Sequence, residues 1–278
     1  MKRRTLLGIT ALFAMMVQLQ AQELEPATEA GEDFDLYAAI SLFENAEDLE
    51  DYEKLLNDEA NDVNNLDLND DDEVDLVRIV EYSEGNTKVL VLQAVIGDDD
   101  YQDIATIELE KFGENEISGQ IIGDEEIYGP DYIIEPSEET ASLSSSYSMA
   151  VFVSVHAWSP VRVIFRPGAV IFVSAITWRV HPVWFHPRPP IARATHRSRA
   201  ARWHSPHVHA SKARHSPRGR SMYSSKRRTS PTAKKHYGHK STQQNKQQQQ
   251  NKNQQQNKNQ QQNKNKQQQQ KKQQKKRR

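Results

Sequence analysis

Charge is sorted along this chain. All 38 Asp and Glu residues lie between Glu23 and Glu139, accompanied only by Lys54, Arg78, Lys88 and Lys111, so that portion carries a net −34. From Ala141 onward there is no acid; 29 Lys and Arg lie there, together with all ten His. The formal total of −2 conceals the separation. A cationic run without acids seeks anions, and mutual repulsion among the carboxylates opposes folding of the other part. The two parts must attract each other at low salt. Screening over about 8 Å at physiological ionic strength weakens that attraction but does not abolish it at contact.

The first residues predict the compartment. Lys2, Arg3 and Arg4 precede an apolar stretch over 5–19, and Ala21 offers a small residue for cleavage. This is the pattern of a Sec-type signal peptide over 1–21, so the mature protein is expected outside the cytoplasm, periplasmic or secreted. The apolar run is short for a membrane span, and no later run reaches span length, so no transmembrane helix is expected after cleavage. Cysteine is absent, which excludes a lipidation site after the leader and any disulfide framework. Packing or a metal must hold the fold.

Residues 22–33 are polar and acidic without a period and read as a flexible lead-in. Asp35 is placed to cap a helix in which Leu36, Ala39, Ile40 and Phe43 share a face. A second helix is expected from about Ala46, with Leu49, Tyr52, Leu55 and Leu56 on one face. Four β-branched runs follow, at 74–82, 87–96, 104–112 and 117–122, joined by short connectors rich in Gly and polar residues. In the third, Ile107 and Leu109 alternate with Glu108 and Glu110, which predicts one buried face and one wet face. Residues 34–136 therefore read as an acidic α+β domain, two N-terminal helices packed on an antiparallel β-meander. Residues 137–148 read as a linker.

Residues 149–186 are apolar, aromatic and β-branched, interrupted by Pro160, Arg162, Arg166 and Pro167. One or two hairpins are expected, with Pro167-Gly168 at a turn. They would pack on the first domain or against a membrane or partner. The Arg/His/Pro/Ser-rich region 187–242 lacks the apolar surface to build a core and is expected to be disordered. So is the Gln/Asn/Lys tail 243–278, in which QQQNKN repeats three times in tandem from Gln248 to Asn265. A Lys in each repeat opposes β-aggregation of the tract.

One acidic stretch carries a spacing. In LDLNDDDEVDLV, from Leu66 to Val77, Asp67, Asn69, Asp71 and Asp75 follow D-x-N-x-D-x-x-x-D, and the carbonyl of Glu73 offers a further oxygen. Oxygens at alternate positions of a tight loop converge on one point and suit Ca²⁺, which would also relieve carboxylate repulsion. The loop resembles the calcium loops of EF-hand and dockerin modules, and more closely those of FG-GAP repeats, where a strand follows directly, here LVRIV. Asp72 stands where those loops have Gly, and Arg78 where an EF-hand has its bidentate Glu. The same residues also serve an acidic turn without metal, because Asx side chains favour turns. The clusters Asp98–Asp100 and Asp124–Glu126 read as solvated turns.

At a larger scale, NNLDLNDDDEVDLVRIVEY, VLVLQAVIGDDDYQDIATIELEK and IIGDEEIYGPDYIIEP, followed by an aromatic Pro-containing segment and a basic tail, are similar to a group of exported proteins of Bacteroidota. The resemblance spans Leu42 to Phe185 and implies an exported location without an assigned activity.

For an exported basic tail, lipopolysaccharide phosphates and other anionic envelope polymers are the expected partners, along with the protein's own acidic domain. Nucleic acid is not expected in that compartment, although Trp203, Tyr223 and Tyr237 have rings that stack on bases. His204, His207 and His209 form H-x-x-H-x-H, a spacing open to Zn²⁺ or Cu²⁺ but set among Arg and Lys. No catalytic motif is present, and the acidic domain contains no His. The expected function is thus a non-enzymatic binding or envelope-associated protein. Alternatives are an inhibitor or chaperone-like domain that holds a basic partner, and a calcium-stabilised structural module.

Overall fold

The computed structural model describes residues 24–137 and 152–237. The expected signal peptide (1–21), all of the linker (137–148) except Ser137, and the tail 243–278 lie outside the described residues.

The chain enters beside the end of the sheet rather than as a free lead-in. Helix α1 spans Glu29–Glu32, and Thr28 caps it by accepting from the Gly31 N–H at 3.2 Å. The Thr28 hydroxyl also donates to the Ile127 carbonyl at 2.8 Å. The flexibility expected for 22–33 is therefore corrected for 24–33, because Thr28 and Ala27 pair with the backbone of 127 and 128. Helix α2 (Leu36–Asn45) begins where Asp35 accepts from the Ala38 N–H at 3.0 Å. Helix α3 (Leu49–Asn57) has a reciprocal start: Asp48 accepts from Asp51 N–H, and Asp51 accepts from Glu47 N–H. Phe34, Leu36, Ile40, Phe43, Tyr52 and Leu56 are fully buried and form the body of the helical layer.

The sheet is antiparallel throughout, with strands in the order β1-β2-β3-β4-β5-β6. Its strands are β1 (Leu76–Glu84), β2 (Thr87–Gly97), β3 (Asp100–Lys111), β4 (Ile117–Gly123) and, after helix α4 (Glu125–Tyr128), β5 (Ile133–Pro136). The β1–β2 turn places Gly85 at φ +56, and the β2–β3 turn holds Asp99 at φ +59, conformations that favour Gly and Asx. The fold is α+β, with the N-terminal helices preceding the strands. On the helix-covered face Ile79, Leu92 and Ala105 are register partners, as are Leu90, Ile107 and Ile121.

The outer edge of β1 is closed by side chains. Glu53 of α3 accepts from the Ile79 N–H at 2.8 Å, while the Asn57 amide accepts from Val77 N–H and donates to Val77 C=O. Asn57 thereby stands in for a neighbouring strand. Farther along, Val173 forms an isolated bridge with Val80. Edges managed in this way resist unwanted pairing.

Two expectations for the second half of the chain are corrected. Residues 149–186 are not a hairpin region: among the described residues they form helix α5 (Ser159–Phe165) and otherwise only isolated bridges. Pro160 in the first turn of α5 needs no N–H donor there, and Val161 and Ile164 turn into the core, which favours a helix over a strand. The expected turn is present, with Gly168 at φ +76 and Ala169 N–H on Arg166 C=O.

The larger correction concerns 187–242. Up to Tyr237 it contains helix α6 (Arg193–Ala200), strand β6 (Val208–Ser211), helix α7 (Pro217–Ser224) and a last helical stretch over 231–237. Strand β6 pairs with β5 from Ile133↔Ser211 to Pro136↔Val208, so the acidic domain of 34–136 does not contain its whole sheet. The segment has too little apolar surface to fold alone. It orders here because the acidic domain supplies a surface of carboxylates and amides that its Arg, Ser and Tyr side chains satisfy.

Candidate functional site

The second face of the sheet was expected to be wet. Instead Glu108 and Glu110, with exposures of 1% and 8%, lie beneath the basic half. The sequence alternates correctly; the cover comes from 100 or so residues downstream.

Across this face the pairing is specific. Arg214 grips Glu108 with two N–H groups, the Nε–Oε2 contact measuring 2.9 Å. Ser216 donates to Glu110 at 2.8 Å and at the same time accepts from Gly219 N–H, which starts α7. Asp103 accepts from the Tyr223 hydroxyl and the Arg228 N–H, each at 2.7 Å, and from Gln93 at 2.6 Å. Arg227 forks onto Asp124 at 2.6 and 2.8 Å. Gln120 accepts from His215 N–H and donates to Ala213 C=O. Ser230 N–H reaches the Gln102 amide oxygen at 2.9 Å.

Burial pushes the carboxyls of Asp103 and Glu108 above their ordinary range, and their hydrogen bonds from Tyr223, Arg228 and Arg214 restrain the rise. At Glu126 burial also pushes upward. Here the hydrogen bond from Lys234 and the fields of Arg227 and Lys234 outweigh it, leaving the carboxyl lowered.

A second contact line runs along the helical layer. Arg193 forks onto Asp33 at 3.0 Å and reaches Glu29 at 3.1 Å. Arg199 and Arg202 both face Asp62, and Trp203 donates its indole N–H to Asn61 C=O at 3.0 Å. His204 meets Asp35 at 2.8 Å and stacks near Tyr37.

The three His of H-x-x-H-x-H are thus separated in role. His204 lies by Asp35, His209 faces Glu135 at 3.6 Å from strand β6, and His207 is exposed. The clusters expected as solvated turns also take partners. Asp98 meets Arg179, Asp99 meets Arg228 and Asp100 accepts from Thr232, while Asp124 is buried.

The calcium-like loop is ordered by its own side chains. Asp67 accepts from Asp71 N–H and Asp72 N–H at 3.1 and 3.2 Å. Asn69 accepts from Asp71 N–H and donates to Asp71 Oδ2 and Ile96 C=O. Asp71 accepts from Glu73 N–H at 3.0 Å. Asp75 is buried and accepts from Leu68 N–H at 2.6 Å. Asp72, at the position where the resembled loops have Gly, sits at φ +65, so the turn tolerates its side chain. Burial raises the Asp75 carboxyl well above its ordinary range, and the fields of Asp67 and Asp71 add to this. Asp67 is raised by burial as well. Glu73 is exposed. Among the described residues no three or more His, Asp or Glu side chains are gathered as a cation cage. Arg78, at the position of the EF-hand Glu, bonds Gln93 and lies over the Tyr101 ring.

Of the buried acceptors, Asp103 was not singled out in the sequence, and Glu108 and Asp124 were expected to be solvated. The available signal was the acid-free, Arg-, Ser- and Tyr-bearing composition of 212–237, which specifies a counter-surface rather than a disordered segment. Among the described residues no helix is long and apolar enough to cross a membrane. Comparison with known proteins gave no match to a protein-family model, a curated protein or a solved structure.

Proposed function

We propose that this is a non-enzymatic exported protein that associates with anionic polymers of the cell envelope, held there by its extreme C-terminal residues. One observation carries the reading. Nine of the Lys and Arg residues between 179 and 234 form ion pairs with the protein's own acids. Beyond Tyr237 the sequence adds twelve Lys and Arg and no acid. Those charges have no acidic neighbour in sequence and suit phosphate-bearing polymers such as lipopolysaccharide. Truncation after Tyr237 keeps every described residue. It is expected to abolish salt-sensitive binding to lipopolysaccharide and to reduce envelope retention on fractionation. Unchanged retention removes the reading.

A second reading draws support from the carboxylate-lined sheet face, which already holds a basic segment in cis. An inhibitor or chaperone-like domain would hold a basic partner on that face in place of α7. Titration with an Arg-rich peptide would then raise amide exchange across α7. Exchange that stays constant at low salt dismisses it.

A further inference from the structure

The segment following α5 carries more exposed apolar surface than any other part of the described chain. Val170, Val173 and Val183 are 84%, 82% and 97% exposed, and Trp178, Val180 and Trp184 add to the same stretch. It is not loose chain. Val173 bridges β1, Ile176 is fully buried against Leu76 and Val95, and Thr177 and Val180 close a tight turn with Trp178 and Arg179 at its tip. The apolar side chains are held outward on a fixed base. Isolated exposed hydrophobics need no explanation, but a contiguous run of them marks a contact surface.

Where the chain leads next indicates the occupant. Arg179 faces Asp98 in the β2–β3 turn, so the Trp178–Arg179 tip of the ridge lies at that end of the sheet, while Val173 lies beside Val80 midway along β1. The last described residues reach the same end: Thr232 donates to Asp100, and His236 lies 3.7 Å from Asp70. The described chain therefore ends at the side of the sheet that bears the ridge's Trp178–Arg179 tip, and the sequence beyond Tyr237 holds twelve Lys and Arg. Glu81, which accepts from Phe172 N–H, is paired with Lys88, and Asp98 faces Arg179. The chain before Leu24 enters elsewhere, beside Tyr132, whose hydroxyl donates to Leu24 C=O near β5. An apolar ridge bearing two Trp, in a chain whose sequence ends in a cationic segment, matches an anionic bilayer, whose interface accepts indole rings and whose headgroups attract Lys and Arg. Two weak signals together give stable anchoring where either alone is marginal.

We infer that residues 170–184 form a docking ridge for an anionic lipid bilayer surface, acting with the cationic segment beyond Tyr237. This rests on the envelope reading above and names its lipid contact.

The test uses the chain from Gln22 to Arg278, which keeps every described residue, and vesicles of phosphatidylglycerol mixed with phosphatidylcholine. Val170→Ser, Val173→Ser and Val183→Ser are combined in one variant; all three side chains face solvent, and an unchanged melting temperature verifies the fold. At about 1 M NaCl, where the attraction of the tail is screened, the unaltered chain is expected to keep a weaker but measurable vesicle binding with blue-shifted Trp emission. The variant is expected to bind about tenfold less under the same conditions. Equal binding by variant and unaltered chain at both salt levels overturns the ridge. Binding that vanishes at high salt and is lost on truncation after Tyr237 also overturns it, while leaving the tail reading intact. A dimer that the triple variant dissociates, with vesicle binding unchanged, assigns the ridge to a second copy and overturns the bilayer. Failure of the unaltered chain to bind vesicles at any salt overturns the ridge alone, because lipopolysaccharide retention judges the tail separately.

Discussion

Glu108 and Arg214 meet with the carboxylate wholly buried and the guanidinium mostly so. Removing one partner strands the other. Arg214→Ala is expected to cost about 3 kcal/mol in urea denaturation, whereas replacing both by Leu is expected to cost much less. Equal losses would show that the pair contributes by packing alone. Asp75 predicts a pH effect of defined sign. Its carboxyl is raised in the folded state by burial, so between its ordinary and its raised range the native protein binds more protons than the unfolded chain. Its contribution to stability then falls as pH rises through that window and recovers as pH drops toward the ordinary range. Asp75→Asn removes the charge and keeps an acceptor for Leu68 N–H. The variant is expected to be at least as stable as the native protein at neutral pH, with a flatter pH profile in thermal melts. Single residues of this kind were hard to read in advance. The spacing of 67–75 drew attention to a cation, while Tyr223, Arg214 and Arg227, which bond Asp103, Glu108 and Asp124, lie more than 100 positions away in sequence.

The helices and strands of the acidic domain were legible because local signals agree with the final structure. Asp35 caps α2, and the four long strands lie close to the apolar runs that predicted them. Legibility failed where an element depends on a distant surface. Pro160 lies in the first turn and Arg166 just past the end of a helix that β-branched composition disguised as a strand. Helix α7 has little apolar surface and forms against polar partners. Its fit is close: a Cβ on Gly219 would lie 2.9 Å from Glu108 Oε2 and 2.7 Å from Ser216 Oγ. Gly219→Ala is expected to destabilise by about 1–3 kcal/mol through overpacking, against the gain of roughly 1 kcal/mol that Ala brings to an open helix. Stabilisation in chemical denaturation would place α7 away from the sheet. For the 67–75 loop, a calcium role predicts a melting temperature that is higher in millimolar Ca²⁺ than in chelator. Identical melting curves would leave the loop as a turn organised by its Asx side chains.

Taken whole, the molecule is a polyampholyte in which one half serves as part of the other's interior. Composition made the segregation of charge plain, and from it the attraction between the halves. It did not disclose that the attraction ends in strand pairing and buried forks, because solvation arguments weigh the apolar content of a segment in isolation. Truncation after Phe185 is therefore expected to do more than release a tail. It removes β6 and uncovers Asp103, Glu108 and Asp124, so the remaining fragment should lose cooperative unfolding in urea, while truncation after Tyr237 should retain it. Added NaCl should lower the melting temperature of the intact protein modestly, since exposed pairs such as Arg179–Asp98 are screened and buried forks are not.

The closure of the sheet by residues 208–211 also sets an order of events during synthesis. Strands β1 to β5 leave the ribosome long before their sixth companion exists, and throughout that interval a field of carboxylates has nothing to rest on. A nascent chain so arranged is expected to become fully resistant to proteolysis only after residues 208–237 have emerged.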